Sequence, residues 1–129
     1  MDEGKIDYWV TLSEYDLVVA RALLDKEHYL YMGFMCHQSV EKMLKACCVR
    51  KNIPPPPIHK LDRLIELAGL NTLLTEDQFD LLDELIPMNI QARYPAHKDA
   101  IYKLVGKSKA FEILSRTEEF IRWLKQQTK

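Results

Sequence analysis

The sequence predicts an all-α protein: an up-and-down antiparallel bundle of four long helices plus a short fifth, folded as a single domain over residues 1–129. Three observations lead there. Apolar residues recur at three- and four-residue steps along most of the chain, the period of one face of a helix. No segment shows a convincing strand pattern. The strongest breakers, the run Pro54-Pro55-Pro56-Pro57, Gly69 and Tyr94-Pro95, divide the chain into pieces of helical length.

The first helix is expected from Ile6 to Lys26, with Trp9, Leu12, Asp16, Val19, Ala20 and Leu23 on a shared face. Asp16 is the unusual member of that face, either satisfied at the edge of the core or orienting a cation on another helix. The second helix is expected from Tyr29 to Arg50. Gly33, Cys36, Val40, Met43, Leu44 and Cys47 fall in one apolar sector at 100° per residue. Gln38, Glu41, Lys42 and Lys45 occupy much of the opposite side, interrupted by Tyr31, Phe34 and Val49. A solvated face has no use for such residues. The pattern therefore predicts a central helix, packed on more than one side, with its polar stripe partly enclosed.

The four prolines end this helix and form a stiff loop. A short third helix is expected from Lys60 to Ala68, with Gly69 as its C-terminal stop. His59 precedes it, and a helix-terminal role is the plainer reading there than catalysis. Thr75-Glu76-Asp77-Gln78 reads as a capping box opening the fourth helix, whose inner face is drawn from Phe79, Leu82, Leu85 and Ile86. Pro87 predicts a kink, after which the helix resumes and delivers Arg93. Tyr94-Pro95 breaks it, since a residue before proline avoids the helical region. Residues 95–106 read as an excursion. The last long helix is expected from Ser108 to Gln127, with Phe111, Leu114, Glu118, Ile121 and Leu124 at helical spacing.

The formal charge of −1 gives no reason to expect a polyanion partner from bulk composition, and no DNA-binding signature is present. The N-terminus lacks a signal pattern and no apolar run reaches spanning length, which predicts a cytoplasmic protein without membrane association. Cys36, Cys47 and Cys48 all fall in the second helix. Cys36 and Cys47 would stand roughly 16 Å apart along its axis, so free, mostly buried thiols are expected. Neither the cysteines nor the four scattered histidines have metal-site spacing, and no metal or cofactor is expected.

Two constellations have chemical potential. Arg93-Tyr94-Pro95-Ala96-His97 puts a guanidinium near an imidazole. The first can hold a phosphate through paired hydrogen bonds, and the second can move protons near neutrality. Together they suit metal-free RNA cleavage, with histidine handling a proton and arginine stabilising the phosphorane. The bland alternative has Arg93 satisfying helix-end carbonyls or an acid, and His97 exposed. The second constellation is the polar stripe. Glu41 and Lys45 can form an i,i+4 ion pair worth about 0.2–0.5 kcal/mol at a surface. Alternatively Lys42 or Lys45 meets a nucleotide phosphate, with Gln38 and Glu41 shaping the cavity. No Gly-rich phosphate loop exists, so side chains would have to do the holding.

Gln38-Ser39-Val40-Glu41-Lys42-Met43-Leu44-Lys45-Ala46, then the prolines and Ile58-His59-Lys60-Leu61, then Ala92-Arg93-Tyr94-Pro95, resemble the successive signatures of the HEPN family, the higher eukaryote and prokaryote nucleotide-binding domain. Asp16-Leu17 with Ala20, and Ala110 and Trp123, extend the match over nearly the whole chain, and Arg-Tyr-Pro suggests a prokaryotic branch. The resemblance implies a helical bundle, commonly a homodimer, often encoded beside a minimal nucleotidyltransferase as a toxin–antitoxin-like pair. Some branches are metal-independent ribonucleases, whose arginine and histidine are separated by four to six residues; here only Tyr94, Pro95 and Ala96 intervene.

The expectation is therefore a homodimeric nucleotide-associated binding module and nucleotidyltransferase partner. Lys42, Lys45 and Arg93 are its phosphate contacts, with Gln38, Glu41, Asp16 and Tyr94 as supporting polar groups. One alternative is a ribonuclease using Arg93 and His97 on RNA; another is a purely structural dimerisation domain.

Overall fold

A computed structural model describes residues 2–93 and 106–129, with residues 90–93 as backbone only. Among the described residues the chain is helical throughout its regular structure: α1 (Glu3–Asp25), α2 (Tyr29–Arg50), α3 (Leu61–Leu67), α4 (Glu76–Arg93) and α5 (Lys107–Gln126). This is the expected bundle of four long helices and one short one. No helix among these residues is long and apolar enough to cross a membrane.

The helix ends follow local chemistry. Asp2 opens α1 by accepting a hydrogen bond from the Lys5 backbone N–H. Thr75 and Gln78 form the reciprocal capping box, Thr75 Oγ1 accepting from the Gln78 N–H while Gln78 Oε1 accepts from the Thr75 N–H. Gly69 closes the α3 turn at φ 73°, a left-handed conformation that a side chain would strain. The fourth helix continues through Pro87, and its described part runs to Arg93.

The central helix is α2, which packs against each of the other four. Its apolar sector and part of its polar stripe are both enclosed: His37, Ser39, Glu41 and Lys45 are buried along with Cys36, Val40, Met43 and Leu44. The three cysteines are buried and free. Burial pushes the Cys36 and Cys47 thiols up to about 12 and the Cys48 thiol to about 11. The α1–α2 crossing is joined by two serines. Ser13 Oγ donates to the Ser39 carbonyl at 2.7 Å, and Ser39 Oγ donates to the Ser13 carbonyl at 3.0 Å. Where α2 meets α4, Gly33 leaves room for Met88: a Cβ at Gly33 would stand 2.5 Å from the Met88 Sδ.

Three expected inner faces are rotated. In α1 the buried positions are Ile6, Val10, Ser13, Asp16, Ala20 and Leu24. Trp9, Leu12, Val19 and Leu23 are half-buried on its flank. The serine exchange with Ser39 draws Ser13 inward, a preference hydrophobicity alone does not express. In α4 the core is made by Leu81, Leu82, Leu85 and Met88, and Phe79 is exposed in the first turn, at the end of the bundle. In α5 Ala110, Ile113, Leu114, Thr117, Phe120, Ile121 and Leu124 face inward, leaving Phe111 exposed.

Candidate functional site

The polar stripe of α2 has become an ion network. Lys42 Nζ lies 2.7 Å from Asp16 Oδ2 on α1, with the lysine 23% exposed and the carboxylate 7%. Burial pushes the Asp16 carboxyl above its ordinary range, opposed by the Lys42 ammonium. One turn further on, Lys45 donates to Glu41 Oε2 at 3.3 Å, both side chains under a tenth exposed. Lys45 also lies 5.4 Å from the Trp9 ring centroid, within cation–π reach. Gln38 is half-buried, with Oε1 3.4 Å from the His37 Nδ1.

Glu41 is the centre of a second set of contacts that the sequence did not announce. Its Oε2 lies 3.0 Å from His59 Nδ1, and the His59 side chain is 58% exposed. Its Oε1 is buried without a hydrogen-bond partner among the described residues, 3.9 Å from His37 Nδ1. The link from Glu41 to His59 crosses 18 residues, including the four prolines. A stiff loop returns His59 to the side of the helix that the chain has just left.

Beside this contact lies a cavity of about 370 Å³ between α2, α4 and the start of α3. His37, His59 and Asn89 line it beside the apolar residues Leu61 and Ile86. Lys60 and Asp62 also line it. Its volume is in the lower part of the range of small-ligand sites, about 300–1,000 Å³. Asn89 and Arg93 are four residues apart along α4, about one helical turn. The backbone of Arg93 thus stands one turn beyond the cavity; Tyr94 and His97 lie outside the described residues, as does the expected excursion up to residue 105. Among the described residues neither Lys42 nor Lys45 lines the cavity, both being held in the adjoining ion network. No cluster of three or more potential metal ligands occurs among the described residues.

The site is thus a mainly apolar cavity beside a buried ion network in an all-helical bundle. The chain belongs to the HEPN domain family, whose model matches residues 6–127. That membership points to a nucleotide-binding or ribonuclease-like module. The searches of curated proteins and of solved structures return no match.

Two features of the site escape the sequence pattern. Asn89 and Ile86 have no distinguishing motif, and His59 reads as a helix-terminal residue. The available signal for His59 was its place between a stiff proline run and an apolar helix, which limits where its ring can go.

Proposed function

We propose that the chain is a nucleotide- or RNA-binding module that works as a cytoplasmic homodimer, partnered by a minimal nucleotidyltransferase in a toxin–antitoxin-like pair. Family membership supports the ligand class. The observation that carries the reading is the mainly apolar cavity between α2, α4 and the start of α3, with Arg93 four residues beyond Asn89 along α4. A base would lie against Ile86 and the His59 ring, and the phosphate is left for Arg93 and Lys60. Lys42, partly exposed beside the cavity, is a third phosphate contact once it leaves Asp16. Lys45 acts from within the ion network, since a phosphate reaching it must displace Glu41. Asp16, Gln38, Glu41 and Tyr94 are the supporting polar groups.

Calorimetry with mononucleotides and fluorescence anisotropy with short RNA test this reading. Arg93→Ala and Lys60→Ala should each weaken binding by about tenfold or more, the loss expected for a charge-assisted hydrogen bond. Light scattering and copurification with the genomic neighbour test the assembly. A monomer that binds neither nucleotide, RNA nor that neighbour refutes the proposal.

A second reading is a metal-independent ribonuclease that uses Arg93 and His97. It is supported by the family. Its test is RNA cleavage in chelator, with Arg93→Ala and His97→Ala beside the wild type; cleavage that survives both substitutions rules it out.

A further inference from the structure

The first helix is apolar on two sides, and the bundle covers one of them. Ile6, Val10, Ala20 and Leu24 are buried in the core, and among the described residues α1 packs against α2 and α5 alone. On its outer side Tyr8, Leu12, Tyr15, Val19 and Ala22 follow one another at steps of four, three, four and three residues. That alternation averages 3.5 residues, the spacing of a helix–helix seam, and keeps the five side chains in one line along the helix. Tyr8 and Tyr15 are each more than half exposed, as is Val18 beside them. Leu12 and Val19 are half-buried, and Ala22 is exposed. Single apolar residues scattered over a surface need no explanation, but a continuous seam in the register of a second helix does. Lysines bound it at the next seam positions, Lys5 before and Lys26 after. No α1 residue lines the cavity beside α2 and α4, so the seam is a separate surface.

We propose that the outer seam of α1 is a self-association surface, on which α1 of a second copy lies antiparallel about a twofold axis between Leu12 and Tyr15. The inference rests on the homodimer reading above and names the face through which the copies meet. Size and charge both select a second copy in this direction. Antiparallel layers set Leu12 against Tyr15 of the second copy and Tyr8 against its Val19, while the long Lys5 crosses its small Ala22. Lys5, whose partner within its own chain is Asp2 at a loose 3.9 Å, then comes beside Asp25 of the second copy. Lys26 of the second copy comes to the N-terminal acids Asp2 and Glu3. All five of these charged residues are exposed. Antiparallel helix dipoles add to the attraction. A parallel pair would instead oppose Lys5 to Lys5 and Lys26 to Lys26, and leave a gap between two alanines at position 22. From Lys5 to Lys26 the strip is about 32 Å long and about 10 Å wide, so it offers about 300 Å² in projection. That is less than the roughly 800 Å² per partner of a standard stable complex, and the association is therefore reversible, in the micromolar range.

The test is sedimentation velocity of the full chain between about 1 and 100 μM, with circular dichroism of each variant to establish that it is folded. Wild type should pass from monomer to dimer within that range. Tyr15→Glu places two carboxylates at the centre of the seam and should raise the dissociation constant at least about a hundredfold. Asp25→Lys should weaken the dimer by about threefold or more. Adding Lys5→Glu to it should restore the dimer, because the exchanged pair meets only when the two helices run antiparallel. A dimer that Tyr15→Glu leaves intact overturns the seam and leaves the homodimer reading standing on another face. Loss of the dimer in Asp25→Lys without recovery on adding Lys5→Glu overturns the antiparallel arrangement. A wild-type monomer whose copurification with the genomic neighbour is abolished by Tyr15→Glu gives the seam to that neighbour and overturns self-association. A wild type that stays monomeric over the whole range, with no such neighbour complex, overturns both the seam and the homodimer reading.

Discussion

Replacing Glu41 with alanine should be among the most damaging single changes in the protein. An i,i+4 Glu–Lys pair on an open helix contributes about 0.2–0.5 kcal/mol. Glu41 and Lys45 are not on an open helix: their side chains are 4% and 9% exposed. Removing one member of such a buried pair leaves an uncompensated charge and costs about 3–5 kcal/mol. A domain of this kind has about 5–15 kcal/mol of total stability, so the variant should be marginal. The assay is urea unfolding followed by circular dichroism at 222 nm. With slopes of about 1–3 kcal/mol per molar for small proteins, the midpoint should fall by about 1 M or more. The paired replacement Glu41→Leu with Lys45→Met supplies the control. Apolar side chains of similar size remove both charges together, and the double variant should recover most of the loss. A loss under about 1 kcal/mol for Glu41→Ala, or a double variant no more stable than the single, refutes the argument that the pair is energetically buried.

Four further outcomes are expected. Gly33→Ala gains about 1 kcal/mol of helix propensity but drives a Cβ against Met88, an overpacking cost of about 1–3 kcal/mol. It should destabilise the wild type and stabilise a Met88→Ala background, a sign reversal visible in thermal melts. Asp16 has a folded carboxyl pKa above its ordinary value of 3.8, so the folded state binds more protons just above that pH. Its contribution to stability therefore falls as pH rises through this window, and Asp16→Asn should stabilise at pH 7 with the advantage vanishing near pH 3, read by urea midpoints at both pH values. The thiols of Cys36, Cys47 and Cys48 should resist a colourimetric thiol reagent at pH 8 in the folded protein and react together once it is unfolded. Thr75→Ala should cost about 1 kcal/mol in chemical unfolding by removing the α4 cap.

The second helix was legible because its signals agree: the apolar sector, the interrupted polar side and the proline stop all describe one central element, and it runs from Tyr29 to Arg50 as expected. Helix starts were legible where a cap has its own chemistry, as at Thr75–Gln78. What periodicity could not resolve was rotation about a helix axis. The faces through Trp9, Phe79 and Phe111 were each offset, because a large aromatic weighs heavily in a hydrophobic pattern even where it stands at an end or flank. Small polar residues such as Ser13 weigh the wrong way although they fit a close helix crossing. The site was less legible than the fold for a related reason. The stripe residues Asp16, Gln38, Glu41, Lys42 and Lys45 could be singled out as polar groups in unusual places, and the Glu41–Lys45 pair is local, but the Lys42–Asp16 and Glu41–His59 contacts come from helix crossing and loop closure. The Glu41–His59 contact depends on how a proline loop returns, and no local spacing encodes that.

The position of α2 also limits how this protein can be altered. One helix touches every other helix, supplies His37 to the cavity and carries Glu41, Lys42 and Lys45 of the adjoining ion network. A substitution there that retunes ligand choice also disturbs the scaffold, so robustness and specificity cannot be adjusted independently along this segment. Freedom to diversify lies in the cavity's other walls: the exposed Lys60 and Asp62 of the loop-to-α3 junction, and the half-buried Ile86 and Asn89 of α4. Engineering a new ligand preference should therefore begin on those walls and leave the central helix untouched.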